Sequence, residues 1–445
     1  MRPLALLALC LSAGFGLAAL PAAAQSTENY GSVYSGFGLG QRADAPTSQG
    51  QMLGGASTAL GGQFATTETP ALLADLGLTA FAVNLQVQGV RGISGDDQSE
   101  LVAGTLGGLR LGFPLRAGRL GLGLSYVPYS RVQYEVFREG QIDIDGDAAT
   151  TTPYRVQYEG GGGLQTVSLG LGARLSPAFQ VGAAVDVRFG TIERRTRTRY
   201  PQNPSDFSEV LSTNDTQLAG ATGTLGAAFS ARRFLGDSDD IRVAASLTLP
   251  TKLWGDRVRV IGFGLNRDTL ATPEGNLTED VEATLPLVGR LGAAYRPAPG
   301  LLVTLDGLYE PWSSFDADFD LPGFTTAAGS ALRDRYRLGG GVEIVPVVGR
   351  RAGYFARTAY RLGGYAERSL VEAGGTGINT YALTGGVSLP ALVPTARFDI
   401  GGEIGLRGLD GLSDDGSASL VRDLFFKATA TINFGERWFV RRQFD

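Results

Sequence analysis

The sequence predicts an all-β chain: a transmembrane antiparallel β-barrel of about 14 strands with an N-terminal plug, or hatch, segment. Three observations carry that expectation. Short segments alternate apolar and polar residues at nearly every position, connections between them alternate between tight and long, and past the N-terminus no apolar run reaches the roughly 20 residues a spanning helix needs. Phe81, Val83, Leu85 and Val87 interleave with Ala82, Asn84, Gln86 and Gln88. Leu424, Phe426, Ala428, Ala430, Ile432 and Phe434 likewise oppose Asp423, Lys427, Thr429, Thr431 and Asn433. A single closed sheet has no second layer to cover its apolar face, so lipid is the solvent that face requires.

The elements follow in order. Residues 1–24, with Arg2, an apolar stretch from Leu4 to Leu20 and Pro21-Ala22-Ala23-Ala24, read as a secretory signal peptide cut before Gln25. Residues 25–77 lack sustained alternation and are rich in Gly, Ala, Ser and Thr; their length and moderate apolarity favour a plug folded into the lumen over a free tail. Residues 78–434 form the barrel, with strands expected at 78–90, 105–115, 120–137, 161–175, 179–199, 215–230, 240–250, 281–295, 301–311, 335–345, 352–362, 379–389, 396–407 and 422–434. Residues 435–445 form a periplasmic tail. Tight turns at 116–119, 176–178, 296–300 and 390–395 alternate with long polar loops at 91–104, 138–160, 200–214, 251–280, 312–334, 363–378 and 408–421. Short periplasmic turns, long external loops and both ends on one side are the habit of bacterial outer-membrane barrels.

Composition narrows the chemistry. Glycine is conspicuous at 65 of 445 residues, and histidine is absent, which removes the usual general base and metal ligand. The one cysteine, Cys10, falls in the signal, so the mature chain has no thiol for a disulfide or a metal. No catalytic residue, cofactor site or metal site is expected. A net charge of −5 without a basic stripe argues against nucleic acid as a partner.

Charged residues at strand positions are expected to face the lumen, because charge on the lipid side costs roughly 2–4 kcal/mol at mid-membrane. These are Arg110, Asp186, Arg188, Arg242, Arg290, Asp306, Arg337, Glu343, Arg357, Arg361, Asp399, Glu403 and Arg407. Their mixed signs suit a salt-bridged interior that stiffens the barrel and holds the plug better than an ion-selective path. Pro128, within Tyr126-Val127-Pro128-Tyr129-Ser130, and Gly160-Gly161-Gly162-Gly163 fall on one hairpin. A proline cannot donate to the ladder and glycines weaken it, so an opening between the third and fourth strands and an ordinary bulge are both open readings. Tyr126, Tyr129, Tyr134, Trp254, Tyr309, Trp312, Tyr360 and Tyr365 lie near strand ends, where membrane-interface belts account for them.

The run Gly50-Gln51-Met52-Leu53-Gly54-Gly55-Ala56-Ser57-Thr58-Ala59-Leu60, then Thr69-Pro70-Ala71-Leu72-Leu73, Leu124-Ser125-Tyr126-Val127-Pro128-Tyr129 and the ending Arg437-Trp438-Phe439-Val440-Arg441-Arg442 resemble a divergent branch of the FadL-type family of outer-membrane transporters for hydrophobic compounds. The resemblance implies a fourteen-stranded barrel, a hatch containing Gly54, Gly55, Thr69, Pro70 and Ala71, and passage through a side opening made by a kink in the third strand, which favours a parting of the third and fourth strands at Pro128 and Gly160–Gly163 over an ordinary bulge. Thr69 stands where the family usually has Asn, and residues 435–445 extend past the point where many barrels end on an aromatic.

The expected function is passive uptake of hydrophobic small molecules, such as long-chain fatty acids, with lateral release through the barrel wall in the bacterial outer membrane. The chain is expected to be monomeric and not an enzyme, with a hydrophobic substrate and the lipid bilayer as partners. The alternatives are a general diffusion porin, with an open aqueous lumen, and a FadL-like barrel acting as a secretion-system or surface-protein anchor.

Overall fold

Alternation decides the architecture. In the computed structural model, residues 32–44, 47–62, 66–94, 97–143, 151–200, 209–263, 277–349, 352–373, 375–391, 395–408 and 421–436 are described. The expected signal at 1–24 and nearly all of the tail at 435–445 lie outside them. Among the described residues the strands close into one antiparallel barrel of fourteen staves. They are β1 (Thr79–Ser94), β2 (Asp97–Arg116), β3 (Leu120–Pro128 and Tyr134–Asp143), β4 (Thr151–Arg174), β5 (Phe179–Arg199) and β6 (Val210–Arg232). Next come β7 (Asp240–Thr248 and Thr251–Phe263), β8 (Leu277–Leu285 and Val288–Ala298), β9 (Leu301–Glu310) and β10 (Arg335–Ile344). The last four are β11 (Ala359–Ala373), β12 (Thr376–Pro390), β13 (Ala396–Arg407) and β14 (Arg422–Glu436). β14 pairs with β1 from Thr79↔Glu436 to Ile93↔Arg422, which closes the sheet.

The barrel is inside out relative to a soluble protein. On β1, Leu85 is 52% exposed while the neighbouring Asn84 is 1% exposed, and the same inversion runs along β14. An apolar outer face and a polar, hydrogen-bonded inner face are what a bilayer demands of strands closed into a barrel. No described helix is long and apolar enough to cross a membrane, and the strands perform that task.

Several expected boundaries move for one reason: strands run past the membrane band into the external medium, where polar residues masked their continuation. β1 and β2 stay paired up to Ser94↔Asp97 rather than parting across a loop at 91–104, and β11 and β12 up to Ala373↔Thr376 rather than parting across 363–378. The strand expected at 352–362 is β11, displaced to Ala359–Ala373, and Arg357 consequently lies in the 3-10 turn Phe355–Arg357 before it. Arg357 is therefore a residue of the β10–β11 connection, not a lumen charge.

The segment from Ser32 to Gly77 lies against the inner faces of the strands. A short helix α1 (Ser48–Met52), capped by the Thr47 hydroxyl, and the 3-10 turn Pro70–Asp75 are its only helical parts longer than four residues among those described. Leu53, Ala56, Leu60, Ala71, Leu72 and Leu73 are at most 2% exposed. Burying each leucine is worth about 1.5–3 kcal/mol. Glycines in the wall make the close approach possible. A Cβ on Gly363 would lie 2.5 Å from the Gly54 nitrogen, one on Gly339 2.1 Å from the Gly54 oxygen, and one on Gly182 2.4 Å from the Pro70 carbonyl carbon. The glycine richness of the sequence thus has a steric purpose: it flattens the inner wall where the segment lies.

Candidate functional site

Inward-pointing charges from separated strands converge because every second residue of every stave faces the lumen. Their centre is a cluster the N-terminal segment completes. Arg42 reaches Glu310 of β9 at 3.0 Å, and Arg335 of β10 reaches Glu310 at 3.3 Å and Glu367 of β11 at 2.9 Å. Asp44 accepts from both Arg335 and Arg337. Arg42, Glu310 and Arg335 have side chains at most 6% exposed. Buried charges of this kind are tolerable only when each is paired, as here.

The other expected lumen charges distribute along the same wall. Asp306 accepts the backbone N–H groups of Ser57 and Thr58 at 2.7 and 2.6 Å, and Arg290 lines the small cavity beside it. Glu343 takes Gln49 at 2.7 Å and Arg361 at 2.6 Å; Arg361 also lies 3.7 Å from Asp399, which accepts from Ser48 and, at 2.7 Å, from Asn433. Glu403 is held by the Tyr365 hydroxyl at 2.5 Å and by Lys427 at 3.1 Å, while Arg407 joins Ser32, Gln41 and Asp423. Asp186 accepts from Thr224, Arg188 stacks over the Tyr129 ring, and Arg110 lines a pocket shared with Glu68. Arg242 pairs with Asp75 at 2.9 Å. Gly54, Thr69, Pro70 and Ala71 are buried on the strands, and Gly55 faces the Arg337 guanidinium.

The wall is broken beside this cluster. Pro128 ends the lower half of β3, and the next residues turn inward so that Ser130 and Arg131 pair with Arg42 and Gln41 of the N-terminal segment. β3 and β4 nevertheless stay joined: Tyr129 donates to the Leu164 carbonyl at 2.8 Å and Val132 to that of Gly162 at 3.0 Å. The expected parting between them is corrected. Gly160 to Gly163 line no opening there; three of the four accommodate crowding, since a Cβ on Gly160 would strike the Tyr134 ring, on Gly162 the Thr191 carbonyl and on Gly163 that of Ser130.

The ladder is interrupted on the other side of β3. β2 pairs with β3 only from Leu109↔Tyr126 to Arg116↔Leu120, while Asp97 to Gly108 pair with β1 alone. The upper half of β3, Tyr134–Asp143, pairs with β4 alone. Across this unpaired stretch Arg131 donates to the Leu106 carbonyl at 3.3 Å. A cavity of about 100 Å³ lies directly inside it, lined by Leu101, Ala103, Thr105 and Gly107 of β2, by Pro128, Arg131 and Gln133, and by Gln41 to Asp44.

Above the cluster the lumen becomes apolar. Leu164, Ile192, Leu218, Leu253 and Leu285 project inward and are at most 1% exposed, because the loop between β9 and β10 folds over them with Trp312, Phe315, Phe319 and Phe324. The loop is tied down at both ends of its reach: the Trp312 indole donates to Glu310 at 2.8 Å, and Gly38 of the N-terminal segment donates to the Pro322 carbonyl at 2.6 Å. In the exposed part of the same loop, the N–H and hydroxyl of Thr326 hold the Asp320 carboxyl below its ordinary range.

Sequence reasoning found the strand charges that lie well inside the expected strands and missed those near the ends. Glu310 shares the inward parity of Asp306, and Arg335 that of Arg337, so alternation carried to the strand ends would have found both. Glu367 lay in a segment read as loop, and Arg42 and Asp44 lie outside any periodic pattern. Of the expected belt aromatics, Trp254, Tyr309 and Tyr360 do face outward. Tyr129, Tyr365 and Trp312 instead turn into the lumen, where they meet Arg42, Glu403 and Glu310.

Among the described residues no group of three or more His, Cys, Asp or Glu side chains is placed to hold a metal ion. In solved structures the fold recurs in the toluene transporter TbuX of Ralstonia pickettii (TM-score 0.54, 18% identity, covering 91% of this chain and 100% of that one). It recurs in a FadL homologue of Pseudomonas aeruginosa (0.54, 13%, 87% and 98%) and in the toluene transporter TodX of Pseudomonas putida (0.54, 12%, 91% and 100%). At these identities the likeness concerns the fold. No curated protein matches the chain closely. The BamG family model matches residues 9–445, nearly the whole chain, and this bacterial outer-membrane β-barrel belongs to the BamG family.

Proposed function

We propose that this barrel is a passive uptake path for hydrophobic small molecules, entering at the external mouth and leaving sideways between β2 and β3. The observation that carries the reading is the unpaired stretch of β2 from Asp97 to Gly108, directly outside a cavity that the N-terminal segment shares. The lower part of this stretch, which the register sets beside the outward apolar Leu85 and Val87 of β1, lies at lipid level, where backbone left unpaired is costly, so a closed barrel has reason to keep it only where something passes or covers it.

The apolar upper lumen supports a hydrophobic cargo, and the toluene transporters and FadL homologue that share the fold support the same class. The segment from 25 to 77 acts as the plug: at about 100 Å³, the cavity behind the opening is well under the roughly 300–1,000 Å³ of ordinary ligand pockets, so passage requires the plug to shift. No covalent step is involved.

The test is transport. Proteoliposomes containing the full chain should accumulate toluene or a fluorescent fatty acid faster than empty vesicles, with no gain in permeability to glucose. Glucose entry would mean a diffusion porin, and no entry of either solute would favour an interaction barrel.

A further inference from the structure

We infer that the outer wall across β8 to β12 carries a binding site for a phosphorylated lipid of the outer leaflet. Two rows of outward residues meet there at the external edge of the membrane band. In the upper row the registers place Gly289 beside Tyr309, Tyr309 beside Tyr336, and Tyr336 beside Arg368. The rings of Tyr309 and Tyr336 stack at 4.9 Å, and the Arg368 guanidinium lies 5.8 Å from the Tyr336 ring. Tyr336 ends the outward apolar run of Ile344, Val342 and Leu338, which fixes this row at the level of the headgroups, where tyrosine is ordinarily found.

Around the rings the wall carries a broad, shallow depression. About 850 Å³ in volume and open to the outside, it spans these strands, with Gly289 at the level of the rings and Gly307 below them. A Cβ added to Gly307 would meet nothing within 4 Å, so the glycine leaves open volume on the lipid side rather than room for a neighbouring strand. An acyl chain fits that description.

Charge selects the headgroup. Among the described residues no carboxylate lies within ion-pair distance of Arg368, although Asp334 is near enough to feel its charge. The nearby Asp334 carboxylate is already engaged by the Ser313 hydroxyl and N–H and by the Tyr309 hydroxyl. The guanidinium of Arg333 is likewise spent on the Ser369 and Ile378 carbonyls and on Asn379. An exposed guanidinium at the headgroup level, beside rings and along a shallow depression, offers forked donors to a phosphate ester whose acyl chains lie below it.

The experiment measures retention of dioctanoyl phosphatidate and of uncharged dioctanoyl glycerol by the full chain in micelles, using native mass spectrometry. The wild type should bind phosphatidate more tightly than the glycerol lipid. Arg368→Gln should weaken phosphatidate binding by about ten-fold and leave the glycerol lipid unchanged, and Arg368→Lys should restore part of it. Gly307→Leu, which fills part of the depression without touching the charge, should weaken both. Heat-modifiable mobility checks that each variant has folded. Equal phosphatidate binding by the wild type and a folded Arg368→Gln, no preference over the glycerol lipid, or self-association through this face would overturn the inference.

Discussion

Arg42 of the N-terminal segment and Glu310 of β9 form a buried ion pair at 3.0 Å, and the same guanidinium donates to the Tyr129 carbonyl at 2.5 Å and covers its ring at 3.6 Å. One side chain therefore joins three parts of the molecule. Through Glu310 it reaches the Trp312 indole of the external loop, and through Tyr129 it reaches the kink beside the break in β2–β3 pairing.

Removing one partner of a buried pair leaves the other charge uncompensated, which costs about 3–5 kcal/mol. Glu310→Gln should therefore loosen the N-terminal segment while the barrel stays assembled. The Ala43 amide, which donates to the Tyr129 carbonyl at 3.0 Å, is the natural reporter. Its hydrogen-exchange protection should fall by on the order of a hundred-fold or more, and the double variant Arg42→Met, Glu310→Met should recover most of it.

The glycine contacts predict a steric effect separable from charge. Gly54 has φ +73°, and a Cβ there would lie 2.2 Å from the Gly364 carbonyl, so Gly54→Ala should displace the segment and expose it to trypsin. Gly307→Ala, where the added carbon meets nothing, should leave the digestion pattern unchanged. Deleting residues 25–77 while keeping the first 24 should go further and raise single-channel conductance in planar bilayers. Unchanged conductance in a correctly folded deletion would contradict the plug.

These contacts also show how far the sequence could be read. The alternation along β1 and β14 is visible residue by residue because lipid and lumen impose opposite polarity on neighbouring positions. The extensions of β11 and β12 past the membrane were not visible, since above the lipid both faces can be polar and the signal fades. The kink at Pro128 was legible, yet the side on which strand pairing stops was not. Proline states only that a donor is missing; the direction depends on Ser130 and Arg131 finding a partner in Gln41 and Arg42, nearly ninety residues away in sequence.

The external loop should depend on its aromatic contacts. Phe315 stacks on Trp312 and meets Phe324 edge-on, and it is 3% exposed. Phe315→Ala should cost about 3–5 kcal/mol of the loop's docking, and the emission of Trp312, measured with Trp254 and Trp438 replaced by phenylalanine, should shift to the red.

The same loop should respond to acid. Ionised Asp320 accepts from the Thr326 N–H at 2.6 Å and from its hydroxyl at 3.0 Å, which depresses its pKa. A depressed carboxylate favours the ordered turn above its unfolded pKa, and that contribution is lost as pH falls through the folded value. Protection of the Thr326 amide, corrected for intrinsic exchange, should hold from neutral pH to the ordinary carboxylate range and fall below it; Asp320→Asn should remove the dependence.

The central claim is sideways exit between β2 and β3, and a reversible crosslink across that gap tests it most directly. The only cysteine of the chain is Cys10, and Arg131 already reaches the Leu106 carbonyl at 3.3 Å. Cysteines at Leu106 and Arg131 can be bridged by a short bis-methanethiosulfonate linker and released by reduction. With bridging confirmed by mass spectrometry, uptake of toluene into proteoliposomes should stop and should return when the linker is reduced, while an equivalent bridge between the paired positions Leu122 and Leu171 of β3 and β4 should have no effect. Undiminished uptake with the β2–β3 bridge in place would contradict lateral exit and leave a route straight through the lumen.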